Sequence, residues 1–269
     1  MKIENMKAFT VIPNVAFGFN TEYHLSQDEL YVYAHLQFLK QYGYTDKTVT
    51  MVDMLVEVLG WQEVKPFRPK ARVAKALEAL QDKGYIGIDC TGDIKKAVLH
   101  ITINKDQEQA EAETEVEWKD KPYSWKGFTV VSAEQFNLIE SAEEFMVLAY
   151  TTWRANADFD YKICFKEWAG VLGVAERTAR LIIPRCESFL VKTSGKTIVS
   201  EGQVRQEPNS YKIATPEKEV KAEEVTVPEV KAVPVAAVQE EVPYSGFDEY
   251  SNNLTAFDQL LEELGKEAS

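Results

Sequence analysis

Lys7-Ala8-Phe9-Thr10-Val11-Ile12 returns later in the chain as Lys126-Gly127-Phe128-Thr129-Val130-Val131. After each copy come an amphipathic helical pattern, two further helices with bases at the start of the second, and two strands. A period this long repeats a whole domain, not the short unit of a solenoid. The expected fold class is therefore α+β, mainly helical, with one unit occurring in tandem.

Composition allows this. The 269 residues suffice for two small domains with additional segments, and 45% hydrophobic residues supply their cores. Three scattered cysteines, Cys90, Cys164 and Cys186, suit a reducing compartment without a disulfide framework. No apolar run approaches a membrane span and no signal-peptide core is seen, so a cytoplasmic location is expected. The net charge of -13 is unevenly spread. Residues 1–105 carry 13 Lys and Arg against 12 Asp and Glu, and residues 125–213 carry 11 of each. The acid lies in residues 106–124, with 2 bases and 7 acids, and in residues 214–269, with 4 bases and 13 acids. Near-neutral units bind nucleic acid only where their bases gather on one face.

In the first unit, residues 1–105, Phe9 to Phe17 is a short apolar opening broken at Pro13-Asn14, an edge strand or extended arm. Ser26 and Glu29 form a capping box before Leu30, Tyr33, Ala34, Leu36 and Leu39 at helical spacing, and Gly43 ends that run. Thr50 with Asp53 is a second capping box, Met54, Leu55 and Val58 are the apolar face of its helix, and Leu59-Gly60 closes it. A looser turn, Trp61 to Pro69, leads to the third helix. There Val73, Ala74, Leu77 and Leu80 share one face, while Arg68, Lys70, Arg72 and Lys75 crowd the N-terminal half. Gly84 stops it, and two strands follow around a turn carrying Lys95 and Lys96. Helix, helix, hairpin is the winged-helix order, in which the N-terminal end of the second motif helix enters the major groove. That places Arg68, Lys70, Arg72 and Lys75 at DNA rather than on an indifferent solvated face.

The second unit, residues 125–213, repeats the plan. Ser141 with Glu144 caps a helix through Phe145, Val147, Leu148 and Tyr150 to Trp153, Tyr161 to Phe165 alternates as a strand, and Lys166 to Leu172 is a short helix. Gly173 turns the chain into the next helix, which carries Arg177, Thr178 and Arg180 near its start. Ala179, Leu181, Ile182 and Ile183 are its expected packing face. Pro184 should kink or end it. Phe189 to Lys192 is a strand, Thr193 to Asn209 a long polar wing, and Tyr211 to Ile213 the closing strand. Lys192 and Lys196 are further DNA-binding candidates, and Arg185 is a weaker one.

Both units resemble the winged helix-turn-helix domains of replication and regulatory proteins from phages and plasmids. Phe9 to Asn14 with the Ser26 helix resembles the opening of domains in replisome-organiser and DnaD-like proteins. Lys75-Ala76-Leu77-Glu78-Ala79-Leu80 followed by Lys83-Gly84-Tyr85-Ile86 is similar to the junction of recognition helix and wing, and Leu172 to Arg180 to the turn and recognition helix. The resemblance covers residues 7–104 and 126–213. It implies binding of double-stranded DNA, most directly in replication initiation, with a transcriptional regulator or a protein-binding adaptor as the alternatives. The long turn from Trp61 to Pro69 and Pro184 inside a helix depart from the pattern and favour the adaptor.

Residues 106–124 read as an acidic linker, either a helical connector or a solvated tether. Residues 214–245, rich in Pro, Glu, Val and Ala, read as disordered. Residues 246–269 read as a short acidic amphipathic helix bearing Leu254, Phe257, Leu260, Leu261 and Leu264. Such a helix docks on a partner or packs back on its own domains. For the replication reading the partner is a replicative helicase, a helicase loader or another replication protein. Three histidines, His24, His35 and His100, and three cysteines show no metal-ligand spacing, and no phosphate loop, nucleophile motif or cofactor fingerprint appears. A non-enzymatic protein without cofactor is expected.

Overall fold

A computed structural model describes residues 8–41, 47–61, 67–157, 161–200 and 203–214. Strand β1 (Phe9–Pro13) runs into a single 3-10 turn, Asn14–Phe17, whose four residues are all buried. Helix α1 (Gln27–Gln41) begins at the expected capping box: Glu29 N–H donates to Ser26 Oγ at 3.4 Å and Ser26 N–H to a Glu29 carboxylate oxygen at 2.9 Å. From Leu30 to Phe38 every residue of α1 is buried, so this helix is enclosed on all sides rather than laid on a surface. Strand β2 (Lys47–Thr50), helices α2 (Val52–Val58) and α3 (Phe67–Asp82), and strands β3 (Ile86–Asp89) and β4 (Leu99–Ile103) complete the first half. Val73, Ala74, Leu77 and Leu80 form the buried face of α3 as their spacing dictates. The sheet order is β2-β4-β3, all antiparallel, with the last strand in the centre.

After a 3-10 turn at Asp106–Glu108 come β5 (Ala112–Thr114) and β6 (Tyr123–Trp125), an antiparallel pair. The second half then follows the order of the first: β7 (Phe128–Ser132), the one-turn helix α4 (Ala133–Phe136), α5 (Ala142–Ala155), β8 (Lys162–Ile163), α6 (Phe165–Leu172), α7 (Glu176–Arg185) and β9 (Leu190–Thr193). An additional hairpin of β10 (Thr197–Ser200) and β11 (Gln203–Gln206) precedes the closing strand β12 (Asn209–Ile213). The sheet order β8-β12-β9 matches β2-β4-β3. With twelve strands in five sheets among the described residues, the chain is mixed α+β and not mainly helical.

The two repeated opening strands pair with each other. β1 and β7 run antiparallel in the register Phe9↔Ser132, Thr10↔Val131, Val11↔Val130, Ile12↔Thr129, Pro13↔Phe128. Since Phe9 corresponds to Phe128 in the repeat and Val11 to Val130, this register is unchanged when the two halves are exchanged. The flanking bonds obey the same exchange: Asn14 N–H donates to Gly127 O (2.8 Å) and Ala133 N–H to Ala8 O (2.9 Å). Gly127 turns β6 into β7 at φ 73°, a left-handed conformation in which a side chain is strained. The corresponding helices α1 and α5 also pack on each other. Tyr31 of α1 stacks on Phe136 with ring centres 5.7 Å apart and meets Phe145 of α5 at 5.9 Å. The halves thus meet across an approximate two-fold axis, the geometry of an isologous dimer built within one chain.

One core results, and the described residues belong to a single compact unit. The expected boundaries at 105 and 125 therefore do not separate independent bodies. Residues 106–124 are neither a helical connector nor a tether. Thr114, Tyr123 and Trp125 are buried, Trp125 Nε1 donates to Thr114 Oγ1 (2.9 Å), and Thr114 donates to Phe19 O (2.7 Å). Thr50 does not cap α2. It ends β2, Met51 holds the cap position without a side-chain bond, and Asp53 pairs with Lys70 instead. Met54, expected in the core, is 55% exposed, and Val52 takes the inner position. At α5 only half of the expected box forms: Ser141 Oγ accepts from Glu144 N–H, while the Glu144 carboxylate accepts from Glu140 N–H. The complete box of this half is Ser132 with Gln135 at α4. Gly43 and residues 215–269 lie outside the described residues.

The outer edge of β1 is closed by a side chain. Gln37 Oε1 accepts from Val11 N–H (2.7 Å) and Gln37 Nε2 donates to Val11 O (2.6 Å), so the amide stands in for a third strand. Replacing Gln37→Leu strands both backbone groups and is expected to cost roughly 2–4 kcal/mol. Urea unfolding followed by tryptophan fluorescence checks this, and a loss within measurement error would contradict it. His35, enclosed between the Tyr31 and Phe136 rings with Nδ1 3.0 Å from Tyr31 O, has its pKa pressed down to about 4 by burial. The unfolded chain takes up this proton near pH 6.5, while the folded chain refuses it until about 4. Its contribution is therefore complete above pH 6.5 and lost as pH falls toward 4, a total on the order of 3 kcal/mol. In His35→Phe that part of the stability–pH curve should flatten.

Candidate nucleic-acid interface

The four bases on α3 have unequal circumstances. Arg68 and Lys75 are exposed and make no ion pair among the described residues. Arg72 is bound at both ends of its fork: Nε and Nη2 reach the two Asp28 oxygens at 2.7 and 2.5 Å, and the guanidinium lies 3.9 Å from the centre of the Trp61 ring. Lys70 Nζ pairs with Asp53 at 2.5 Å. The stretch of bases is thus half outward-facing and half engaged in holding α3 to α1 and α2.

Arg72, Lys75 and Lys83 border a cleft of about 580 Å³ whose far wall is Leu172, Gly173 and Val174 of the second half. Gly173 is left-handed (φ 63°, ψ 32°), as its sequence context requires. Its N–H donates to Gly170 O (3.1 Å) and Val174 N–H to Ala169 O (3.0 Å), a Schellman-type ending. Two orphan carbonyls at this end are met from the other half: Gln27 Nε2 donates to Leu172 O (2.8 Å) and His24 Nε2 lies 2.9 Å from Val171 O. Burial lowers the His24 pKa, outweighing the opposing effect of the Val171 carbonyl. Reciprocally, Leu59 and Gly60 at the end of α2 border a second cleft with Phe136 to Glu140. The turn into α7 is thus braced by bonds from the other half, and the end of α2 faces the other half across a cleft.

On α7, Arg177 and Thr178 are exposed. Arg180 pairs with Glu176 one turn back at 2.5 Å and sits 4.4 Å over the Phe165 ring. Ala179, Ile182 and Ile183 pack inward, but Leu181, expected beside them, is 58% exposed because it falls on the opposite side of the helix. Pro184 lies inside the last turn, and the helix ends one residue later. Lys95 and Lys96 are exposed in the turn of the first hairpin, Lys192 on β9 and Lys196 beside β10. Lys192 and Arg180 border a groove of about 540 Å³ together with Lys119, Lys162 and Lys166. These three were not legible as site residues. Lys162 and Lys166 flank the start of α6 with no cluster in sequence, and Lys119 arrives from the acidic segment.

Beneath this groove lies a carboxylate that no sequence motif marks. Glu167 of α6 is fully buried. It accepts from Tyr123 OH (2.8 Å), Tyr150 OH (2.5 Å) and Tyr161 OH (2.9 Å), and Lys119 Nζ stands 3.8 Å away. Arg154 donates to Tyr150 OH (2.9 Å) and lies 3.8 Å from the Trp153 ring centre. Burial and the Glu167 charge push the Tyr150 hydroxyl well above its ordinary pKa, so it stays a donor. This network ties the 106–124 segment, α5 and α6 into one piece, and supports the groove from below.

Leu254, Phe257, Leu260, Leu261 and Leu264 lie outside the described residues. The cysteines Cys90, Cys164 and Cys186 are all free. Among the described residues no group of His, Cys, Asp or Glu is placed to hold a metal, and no helix is long and apolar enough to cross a membrane. No protein-family model, no curated protein and no solved structure matches the chain.

Removing the Glu167 carboxylate leaves three tyrosine hydroxyls and the Lys119 ammonium without their common partner. Glu167→Ala is expected to cost about 3–5 kcal/mol, and Glu167→Gln, which keeps an acceptor oxygen, appreciably less. Equal stability of the two variants in urea would show that the hydroxyls do not depend on that acceptor.

Proposed function

We propose that this chain is a sequence-specific double-stranded DNA-binding protein made of two winged helices. The observation that carries the reading is the twofold occurrence of one arrangement: helix, strand, helix, helix and two strands, with the last strand central in the sheet. In that arrangement the third helix, α3 or α7, is the element presented to a major groove, and the hairpin after it lies along the backbone. Arg68 and Arg177, exposed near the starts of those helices, and Lys75, exposed at the middle of α3, are the base- and phosphate-contacting candidates. Lys95, Lys96, Lys192 and Lys196 are the candidates on the hairpins. The near-neutral balance of the two halves fits binding that depends on a few placed contacts instead of a broad positive field.

The role this suits best is replication initiation in a phage or plasmid setting, without catalysis by the chain itself. The C-terminal segment would recruit a replicative helicase, a helicase loader or another replication factor. Transcriptional regulation would use the same domains. A second reading, a winged-helix adaptor for proteins, is favoured by the outward Leu181 on α7 and Met54 on α2, and by the ion pairs that occupy Lys70, Arg72 and Arg180.

Titration of the full chain with duplexes selected from a random pool, at several salt concentrations, separates DNA binding from the adaptor reading. The triple variant Arg68→Ala, Lys75→Ala, Arg177→Ala should flatten the slope of log K against log salt by about 2.7, near 0.9 for each lost phosphate contact. Failure to select any duplex would leave the adaptor, and an unchanged slope would show that these three side chains are not the phosphate contacts.

A further inference from the structure

We infer that the DNA site is arranged about a dyad: two half-sites in opposite orientation, one under each head, occupied by a single chain. This rests on the DNA-binding reading and adds to it the geometry of the target. Two winged helices joined in one chain can sit in tandem, both facing the same way along the duplex, or head to head. The amino-acid repeat alone does not choose between these.

Several independent contacts choose. The β1–β7 register maps onto itself when the halves are exchanged, with Val11↔Val130 at its centre. The bonds Asn14 N–H to Gly127 O and Ala133 N–H to Ala8 O are each other's images under the same exchange. Helix α1 packs on its own counterpart α5. The ends of the two short helices also lie toward the opposite halves: His24 and Gln27 of the first half bond the end of α6, and the end of α2 shares a cleft with Phe136 to Glu140 of the second half. A tandem arrangement related by translation cannot pair a strand antiparallel with its own repeat. The operation relating the paired strands and helices is therefore a rotation of about half a turn, and the shared element order makes α3 and α7 counterparts under it. B-DNA has dyads of its own, and protein and DNA dyads coincide when both heads make equivalent contacts.

The heads are not copies. Helix α3 runs for 16 residues and α7 for 10, and their exposed side chains differ. The half-sites are consequently opposed in direction but unlike in sequence, so inspection of a selected site for a palindrome does not reveal the dyad. A chemical probe does. Arg68 and Arg177 are each the second residue of their helix, and p-benzoylphenylalanine in place of one or the other gives two proteins with equivalent photoprobes. Each full-length protein is crosslinked to one duplex selected by the unmodified chain, with the two strands labelled separately. The expected result is that the strand pattern from the Arg68 position reappears on the complementary strand for the Arg177 position. The two patterns should be displaced to opposite sides of a single centre, with half-sites about 10 bp apart or a multiple of that. Patterns repeated on the same strand, or crosslinks from one position alone, overturn the dyad while DNA binding stands. If no duplex is selected, the DNA-binding reading falls and takes the inference with it.

Discussion

The pairing of β1 with β7 is the interaction on which the rest of the structure depends. Isolated, either strand would be a short edge exposing unpaired backbone groups. Paired, each satisfies the other along one side, and the Gln37 amide closes the second side of β1 at Val11. Thr10, Ile12, Thr129 and Val131 then point inward as a buried layer, and α1 and α5 pack beneath them. Alternation fixes which side chains face the core, because a slip of one residue in either strand would turn its inward pair to solvent. The position of every later element follows from the placement of those two helices.

What could be read from the sequence was whatever is local. The Ser26–Glu29 box, the buried face of α3 at Val73, Ala74, Leu77 and Leu80, and the left-handed Gly173 each depend on residues within a turn or two. What escaped depends on residues distant along the chain. Lys47 to Thr50 is short and mostly polar, and becomes a strand because β4 runs alongside it. The alternation of Glu with small residues after Asp106 concealed a hairpin whose inward side is Thr114, Tyr123 and Trp125. Nothing near Glu167 in sequence announces that three tyrosine hydroxyls converge on it.

The candidate site shows the same division. Bases at the start of α3 and α7 were visible as a cluster, but whether a base is available depends on what else reaches it. Asp28, in the first turn of α1, takes Arg72, and Asp53 takes Lys70. Helical spacing placed Leu181 in the core, whereas α7 lies with Ala179, Ile182 and Ile183 inward and Leu181 turned away. Charge patterning locates a face and leaves open which residues on it are spent on holding the fold together.

The folded 106–124 segment has a consequence for how the two heads persist. Two separate subunits joined across a two-fold axis part company on dilution, and their association varies with cellular abundance. Here the counterpart is always present, and it is held by a shared core and a paired hairpin as well as by covalent continuity. A protease cut in the exposed turn between β5 and β6 would leave a nicked but associated pair, still gripped through β1 and β7. The paired body is thus available in full at any dilution, where an equilibrium dimer would be mostly dissociated.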